Sequence, residues 1–191
     1  MSTFTKGISM FLLSILIMAL LIMVALGFML GFSHPLPWVL VFFVLIIPFV
    51  HDKVVAKRYL HWDNSLNTGI ELIDNDHKKL LGLINQLQTA TRYQIDDDMI
   101  ENTLNELIEY TKYHFDREEQ LMRINHYPGY EAHKELHKQM IKKVSQFVEG
   151  YKTDKVHTID ETLAFLKGWL INHIKGRDKD YAPYLKIKKL D

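Results

Sequence analysis

The pattern of apolar and polar positions changes character near residue 57. From Ile8 to Phe32 the chain is apolar almost without a break; only Ser9 and Ser14 interrupt it, and nothing there is charged. Such a run in helical form reaches about 37 Å, more than the roughly 30 Å of a bilayer's hydrocarbon core. A cleaved signal peptide would carry an apolar region of roughly 7–15 residues ending at small residues. This run is longer, and a second follows it. Ser33-His34-Pro35-Leu36-Pro37 predicts a turn, because residues before proline are pushed out of helical geometry. Trp38 to Val50 is apolar again, around Pro48. That stretch alone gives only about 20 Å of helix. Continuation through Val54, Val55 and Ala56 supplies the rest, with His51, Asp52 and Lys53 snorkelling at the interface. The expectation is a two-helix transmembrane hairpin over residues 1–56, with helices at about 8–32 and 37–55. A re-entrant or interfacial second segment is the alternative. Gly27 and Gly31 form a Gly-x-x-x-Gly pair that permits close helix approach, within the hairpin or to a partner helix.

From about His61 the pattern turns amphipathic, and residues 57–191 are expected to form a separate all-α domain. One stripe runs through Ile73, His77, Leu80, Ile84 and Leu87 in a helix expected at about Ile70–Thr89. A second begins after Asp96-Asp97-Asp98, acidic residues suited to a helix N-terminus. It carries Ile100, Leu104, Leu107, Thr111, His114, Glu118 and Leu121 or Met122. A third helix is expected from Pro128, a favourable first-turn residue. Its stripe is His133, His137, Met140, Ile141, Val144 and Val148. The fourth is expected after Thr158-Ile159-Asp160-Glu161, which reads as a capping box, with Leu163, Leu166, Leu170 and His173. Connections are short, so neighbours should run antiparallel, and an up-down four-helix bundle is the economical fold.

All four apolar stripes contain histidine. His133 and His137 are four residues apart and share a helix face. Glu118 follows His114 at the same spacing, and Asp178 lies five residues after His173. A carboxylate buried without compensation is costly. Five imidazoles and two carboxylates converging in one core call for cations, and seven ligands are too many for a single ion. They suit two six-coordinate ions with both carboxylates bridging. Imidazole with carboxylate fits iron, whereas zinc prefers four ligands in a closed site.

Composition narrows the rest. There is no cysteine, which excludes disulfides, iron–sulfur clusters and thiol catalysis. Formal charge is zero, but Lys6, Lys53, Lys57 and Arg58 stand against Asp52 in the first sixty residues. That is a net of +3 there, leaving −3 for the remainder. No basic stripe suggests nucleic-acid binding. The basic residues flank the apolar segments and are absent from the loop between them, so the positive-inside rule places both ends in the cytoplasm. His34, His51, His61, His126 and His157 are expected at membrane edges or helix approaches, solvated. Glu119 is rotated about 100° from Glu118 and should face away from the core.

The set His77, His114-x-x-x-Glu118, His133-x-x-x-His137 and His173-x-x-x-x-Asp178 resembles the ligand set of the hemerythrins in order and spacing. Asn75-Asp76-His77-Lys78-Lys79-Leu80, His114-Phe115, His133-Lys134 and Trp169-Leu170 are similar to bacterial members, the bacteriohemerythrins. The resemblance covers roughly Trp62 to Tyr184 and leaves the hairpin outside. It implies an oxo- or hydroxo-bridged pair of non-haem iron ions that binds O2 reversibly. His133, His137 and His173 would saturate one iron; His77 and His114 would hold the other, with one position open for O2. Glu118 and Asp178 would bridge. With nitrogen ligands dominant and one open position, holding O2 is favoured over attacking a substrate, so a carrier is expected and not an enzyme. Phe115, Trp169 and Leu170 are candidates to line an O2 pocket, and Trp62 is expected to pack. The expected role is delivery of O2 to a membrane oxidase or oxygenase from the cytoplasmic face of a bacterial inner membrane. The alternatives are an O2 or redox sensor acting through a partner, and a di-iron oxidoreductase acting on peroxide, nitric oxide or iron.

Overall fold

The computed structural model describes residues 3–93 and 96–186; at positions 3–10, 152, 155–157 and 186 it describes the backbone course only. The flanking Lys6 and the side chain of His157 lie outside the described side chains. The chain divides into two compact units, Met1–Tyr59 and Leu60–Asp191.

The first unit holds α1 (Thr3–Phe28) and α2 (Pro35–Ala56). At 1.5 Å per residue they reach about 39 and 33 Å. Both are long and apolar enough to cross a membrane, and they are almost uncovered by protein: among the described side chains of α1 and α2 only Gly27 and Pro37 are buried. A helix of this composition inside a soluble fold is covered by its neighbours; these are not. α1 stops at Phe28, four residues short of the expectation, because the chain turns at Gly31, whose φ of +107° suits glycine. The Gly-x-x-x-Gly pair is therefore split between two tasks. A Cβ on Gly27 would stand 3.2 Å from Pro37 Cβ, so Gly27 lets α2 approach, while Gly31 makes the turn. The tight segment expected at Ser33–Pro37 is shorter than predicted, since Pro35 and Pro37 already belong to α2. First-turn N–H groups have no helical partner, so proline is tolerated there. His34 caps the helix by accepting from Leu36 N at 3.2 Å, and Trp38 Nε1 donates to Phe32 O at 2.9 Å across the turn.

In the second unit α3 (Glu71–Tyr93), α4 (Asp97–Ile124), α5 (Tyr130–Thr153) and α6 (Lys155–His173) pack in sequence order, with α6 back against α3. The result is a closed up-down four-helix bundle. A π-helical turn, Ile174–Asp178, and α7 (Lys179–Lys186) follow. The core is built on the four predicted stripes: Leu80, Ile84 and Leu87 meet Leu104, Leu107, Met140, Val144, Leu163, Leu166 and Leu170, all buried, while Ile73 is buried outside that cluster. Ile141 and Val148 are only half-buried at its margin. Before α3, both Leu60 N and Leu60 O pair with the Asn85 side chain at 2.8 Å, which fastens the entering chain to the bundle.

Helix starts differ from expectation in two places. α5 begins at Tyr130 with Gly129 at its cap, so Pro128 precedes the helix instead of opening it. A side chain at Gly129 would run into the Tyr127 ring, 2.6 Å away. α6 begins at Lys155, directly after Asp154, the single residue between α5 and α6. Thr158-Ile159-Asp160-Glu161 thus lies inside the helix and caps nothing; Thr158 O instead accepts from Thr162 Oγ1. The one-residue connection leaves no room for a later start. α4 begins as expected, with Asp96 accepting from Asp98 N.

Candidate metal centre

Helical spacing accounts for most of the site. His77 comes from α3, His114 and Glu118 from one face of α4, His133 and His137 from one face of α5, and His173 from the end of α6. All are buried, as is Asp178. The five-residue step from His173 to Asp178 would separate them by about 140° around an α-helix. The chain solves this by passing through the π turn Ile174–Asp178, whose wider winding returns Asp178 to the side of His173. Asp178 Oδ1 lies 3.2 Å from His173 Nε2.

The histidines form two groups. On one side the Nε2 atoms of His133, His137 and His173 converge, separated by 3.0, 3.2 and 3.2 Å. On the other, His77 and His114 lie edge to face, ring centroids 4.8 Å apart. Each carboxylate offers one oxygen to each group. Glu118 Oε1 stands 3.7 Å from His77 Nε2 and 3.5 Å from His114 Nε2, while its Oε2 is 3.3 Å from His137 Nε2 and 3.8 Å from His133 Nε2. Asp178 Oδ2 is 3.2 Å from His77 Nε2, and its Oδ1 is 3.6 Å from His133 Nε2.

This donor set fits a pair of cations. Both nitrogens of His77, Glu118 Oε2 and both Asp178 oxygens are buried without a hydrogen-bond partner. Such orphaned groups cost about 1–3 kcal/mol each. Three imidazole lone pairs turned on one another repel unless a positive charge sits among them. Donors at right angles about an ion, with bonds of about 2.1 Å, stand roughly 3.0 Å apart, close to the spacing of the three Nε2 atoms. Two buried groups can hold a metal ion by composition and reach: Glu118 with His133, His137 and His173, and Glu118 with His77 and His114.

Electrostatics inside the cluster are tightly linked. Burial pushes His173 down to about 4, against the pull of Asp178 and Glu118. Burial also disfavours charge on His114, but Glu118, Asp76 and Asp178 outweigh it and raise its pKa. Glu118 is held well below the usual carboxylate range: burial opposes ionisation, and His114, His133, His137 and His77 overcome it.

Three neighbours that the sequence reading does not assign to the site complete it. Asp76, on α3 beside His77, faces His114 Nδ1 at 3.4 Å and accepts from Tyr110 Oη and Arg117 Nη1. Tyr181, on α7, is fully buried and donates to Glu118 Oε1; burial first, then the Glu118 and Asp178 charges, push its pKa well above the usual phenol. Glu119 does not face away. Its Oε1 lies 3.1 Å from His137 Nδ1, because the side of α4 turned 100° from Glu118 is the side against α5. An acidic residue directly beside a candidate ligand was the available signal for both Asp76 and Glu119.

Phe115 stacks on His137 with centroids 3.7 Å apart and rings 2° from parallel, and Trp169 stacks on His173 at 4.1 Å. Phe115, Trp169 and Leu170 all line one small cavity, with Leu80, Ile84, Leu107, Thr111, Met140 and Leu166. The Thr111 hydroxyl donates to Leu107 O, and the exposed lining is almost wholly apolar. Trp62 packs beside the His77 ring. His34, His51, His61 and His126 are exposed.

The hemerythrin HHE cation binding domain matches residues 68–185. A bacteriohemerythrin of Stenotrophomonas maltophilia is 34% identical over 127 residues, 66% of this chain and 82% of that protein. One from Pseudomonas aeruginosa is 37% identical over 124 residues, 65% of this chain and 80% of that protein. A myohemerythrin of Theromyzon tessulatum is 32% identical over 120 residues, covering 63% and 88%. The crystal structure of a wild-type hemerythrin superposes with a TM-score of 0.61 at 27% identity, covering 66% of this chain and 97% of its own. The chain belongs to the hemerythrin family. Membership supports O2 binding at a non-haem di-iron centre.

Proposed function

We propose that this protein is a membrane-tethered O2 carrier. Its bundle holds two non-haem irons through His77, His114, Glu118, His133, His137, His173 and Asp178. The observation that carries this reading is the split of both carboxylates, one oxygen toward His77 and His114 and the other toward His133, His137 and His173. When bound, the iron pair supplies the electrons and the open coordination position that reversible O2 binding needs. The chain supplies everything else. Three imidazoles on one side fill that half of the site, and two on the other leave it incomplete. Phe115, Trp169 and Leu170 line an apolar cavity, and in this reading that lining excludes water from the site. Tyr181 holds Glu118 Oε1 from the side opposite the helix.

Residues 1–56 are the anchor and 57–191 the binding domain in this reading. α1 and α2 cross the bilayer as a hairpin, supported by their length and by the near absence of protein cover over them. Lys53 in the last turn of α2, Lys57 and Arg58 just beyond it, and Lys6 near the start of α1 favour both ends on the cytoplasmic side of a bacterial inner membrane. The tether keeps bound O2 beside a membrane oxidase or oxygenase that consumes it. The test is O2 uptake by membranes at limiting O2, with the full chain and with a fragment starting at Lys57. Faster uptake with the full chain supports delivery. Equal uptake, with O2 binding intact in both, rejects delivery in favour of sensing.

A further inference from the structure

The two halves of the site are buttressed unequally. Behind His114 stands Asp76, 4% exposed, which is held three ways: Tyr110 Oη donates to its Oδ1 at 2.6 Å, and Arg117 Nη1 lies 2.9 and 2.7 Å from its two oxygens. Tyr110 and Arg117 come from α4, one turn before and about one turn after His114, so one helix presents both clamps and the imidazole to the same carboxylate on α3. Behind His137 stands Glu119, partly exposed, whose partner besides the imidazole is Lys134 at 3.8 Å. His77 Nδ1, though buried, has no partner at all. The three imidazoles on one side also constrain one another, whereas of the two on the other side His114 has a carboxylate at its Nδ1 and His77 has none there.

An ionised carboxylate accepts hydrogen bonds and cannot donate, and neutral imidazole carries one N–H and one lone pair. Both ring nitrogens face a carboxylate, Nδ1 that of Asp76 and Nε2 that of Glu118; with the cation taking the Nε2 side, the proton belongs on Nδ1, where Asp76 accepts it, and the lone pair on Nε2. Turned the other way, His114 would present an N–H to the cation and could not ligate it. We infer that Asp76, clamped by Tyr110 and Arg117, is a positioning residue that fixes His114 in the Nδ1–H tautomer and thereby sets the affinity of the His77–His114 cation position selectively. This rests on the two-cation reading above. Partners of this kind are worth roughly 10–100-fold in metal affinity, and here the loss falls on one ion of the two.

The test uses the full chain in detergent micelles, stripped with a chelator and titrated anaerobically with ferrous ion by calorimetry. The wild type takes up two ions. Asp76→Asn, which keeps size and shape, is expected to weaken one of them by about 10–100-fold and leave the other unchanged. Tyr110→Phe removes one of the three holds and should give a smaller shift in the same ion. Nitrogen-15 shifts of labelled histidine, read before metal is added and at a pH high enough that His114 is neutral, report the tautomer: mainly Nδ1–H at His114 in the wild type, and a larger share of the Nε2–H form in Asp76→Asn. Unchanged affinities for both ions would overturn the inference. So would equal weakening of both with the His114 tautomer unaltered, which is what a purely structural role produces. Uptake of fewer than two ions by the wild type would instead remove the two-cation reading itself, and this inference with it.

Discussion

The hairpin and the bundle are built from helices of similar length but opposite distribution. In α1 and α2 the large apolar side chains, among them Phe11, Leu16, Phe42 and Phe49, are exposed, and apart from Ser14 the few polar groups sit toward the ends and in the turn. In the bundle most charged residues face out, and the interior holds leucines, isoleucines, Asp74, Asp76 and seven ionisable ligand candidates. The same rule yields both. A surface must match its solvent, and an interior must satisfy whatever polar groups it contains. The hairpin meets the rule by having no polar interior. The bundle concentrates one, which carries orphaned nitrogens and oxygens until a cation takes their lone pairs.

The largest effect that breaks the contrast is in the ligands. Glu118→Ala should abolish loading of both ions, since Glu118 faces both histidine groups, while the exposed His126→Ala should load fully. Metal analysis of the purified variants reads both. His137→Ala should lose iron as well. Retention of two ions by Glu118→Ala would mean that the buried cluster is an ordinary polar core.

Next in size is the packing around the cavity. Leu170→Ala should destabilise the bundle by about 2–5 kcal/mol and hasten autoxidation of the O2-bound form by admitting water. Chemical unfolding and the decay of the oxy spectrum measure the two effects separately. An unchanged decay rate would assign Leu170 to packing alone.

A charge sharpens the comparison from the other side. Leu16→Arg, on the exposed surface of α1, should oppose membrane insertion by about 2.5–3.5 kcal/mol. Lys142→Glu, on the exposed surface of α5, should change bundle stability by less than about 0.5 kcal/mol. Membrane partition and thermal melting would decide. Indifference to Leu16→Arg would mean that α1 does not cross the bilayer. The smallest expected effect is at the turn. Trp38→Phe removes the bond to Phe32 O and should cost the hairpin about 1 kcal/mol, read from unfolding in mixed micelles.

Much of this was legible because it is periodic. His77, His114, Glu118, His133, His137 and His173 sit on apolar stripes at helical spacing, so their convergence follows once the bundle forms. Where the sequence misled, the cause was local geometry that tertiary contacts override. Thr158-Ile159-Asp160-Glu161 has the composition of a cap, but the turn through Asp154 starts α6 earlier. Pro35 and Pro37 read as a break and instead open α2. Asp178 was found by its spacing from His173 without a reason for that spacing; the reason is the π turn, which no apolar pattern announces. Glu119 was set aside on a single-helix rotation argument, which ignores that a neighbouring helix can occupy that side too. Tyr181 lies three residues beyond Asp178 on a short terminal helix, and its role depends wholly on how α7 folds back over the site.

The most direct measurement is of iron and O2 together on the full chain in lipid nanodiscs. The account predicts two irons per chain, and one O2 taken up per iron pair and released when O2 pressure falls, with the same result from the fragment starting at Lys57. A single tightly bound iron, full occupancy by zinc alone, or steady consumption of O2 in place of release would contradict it.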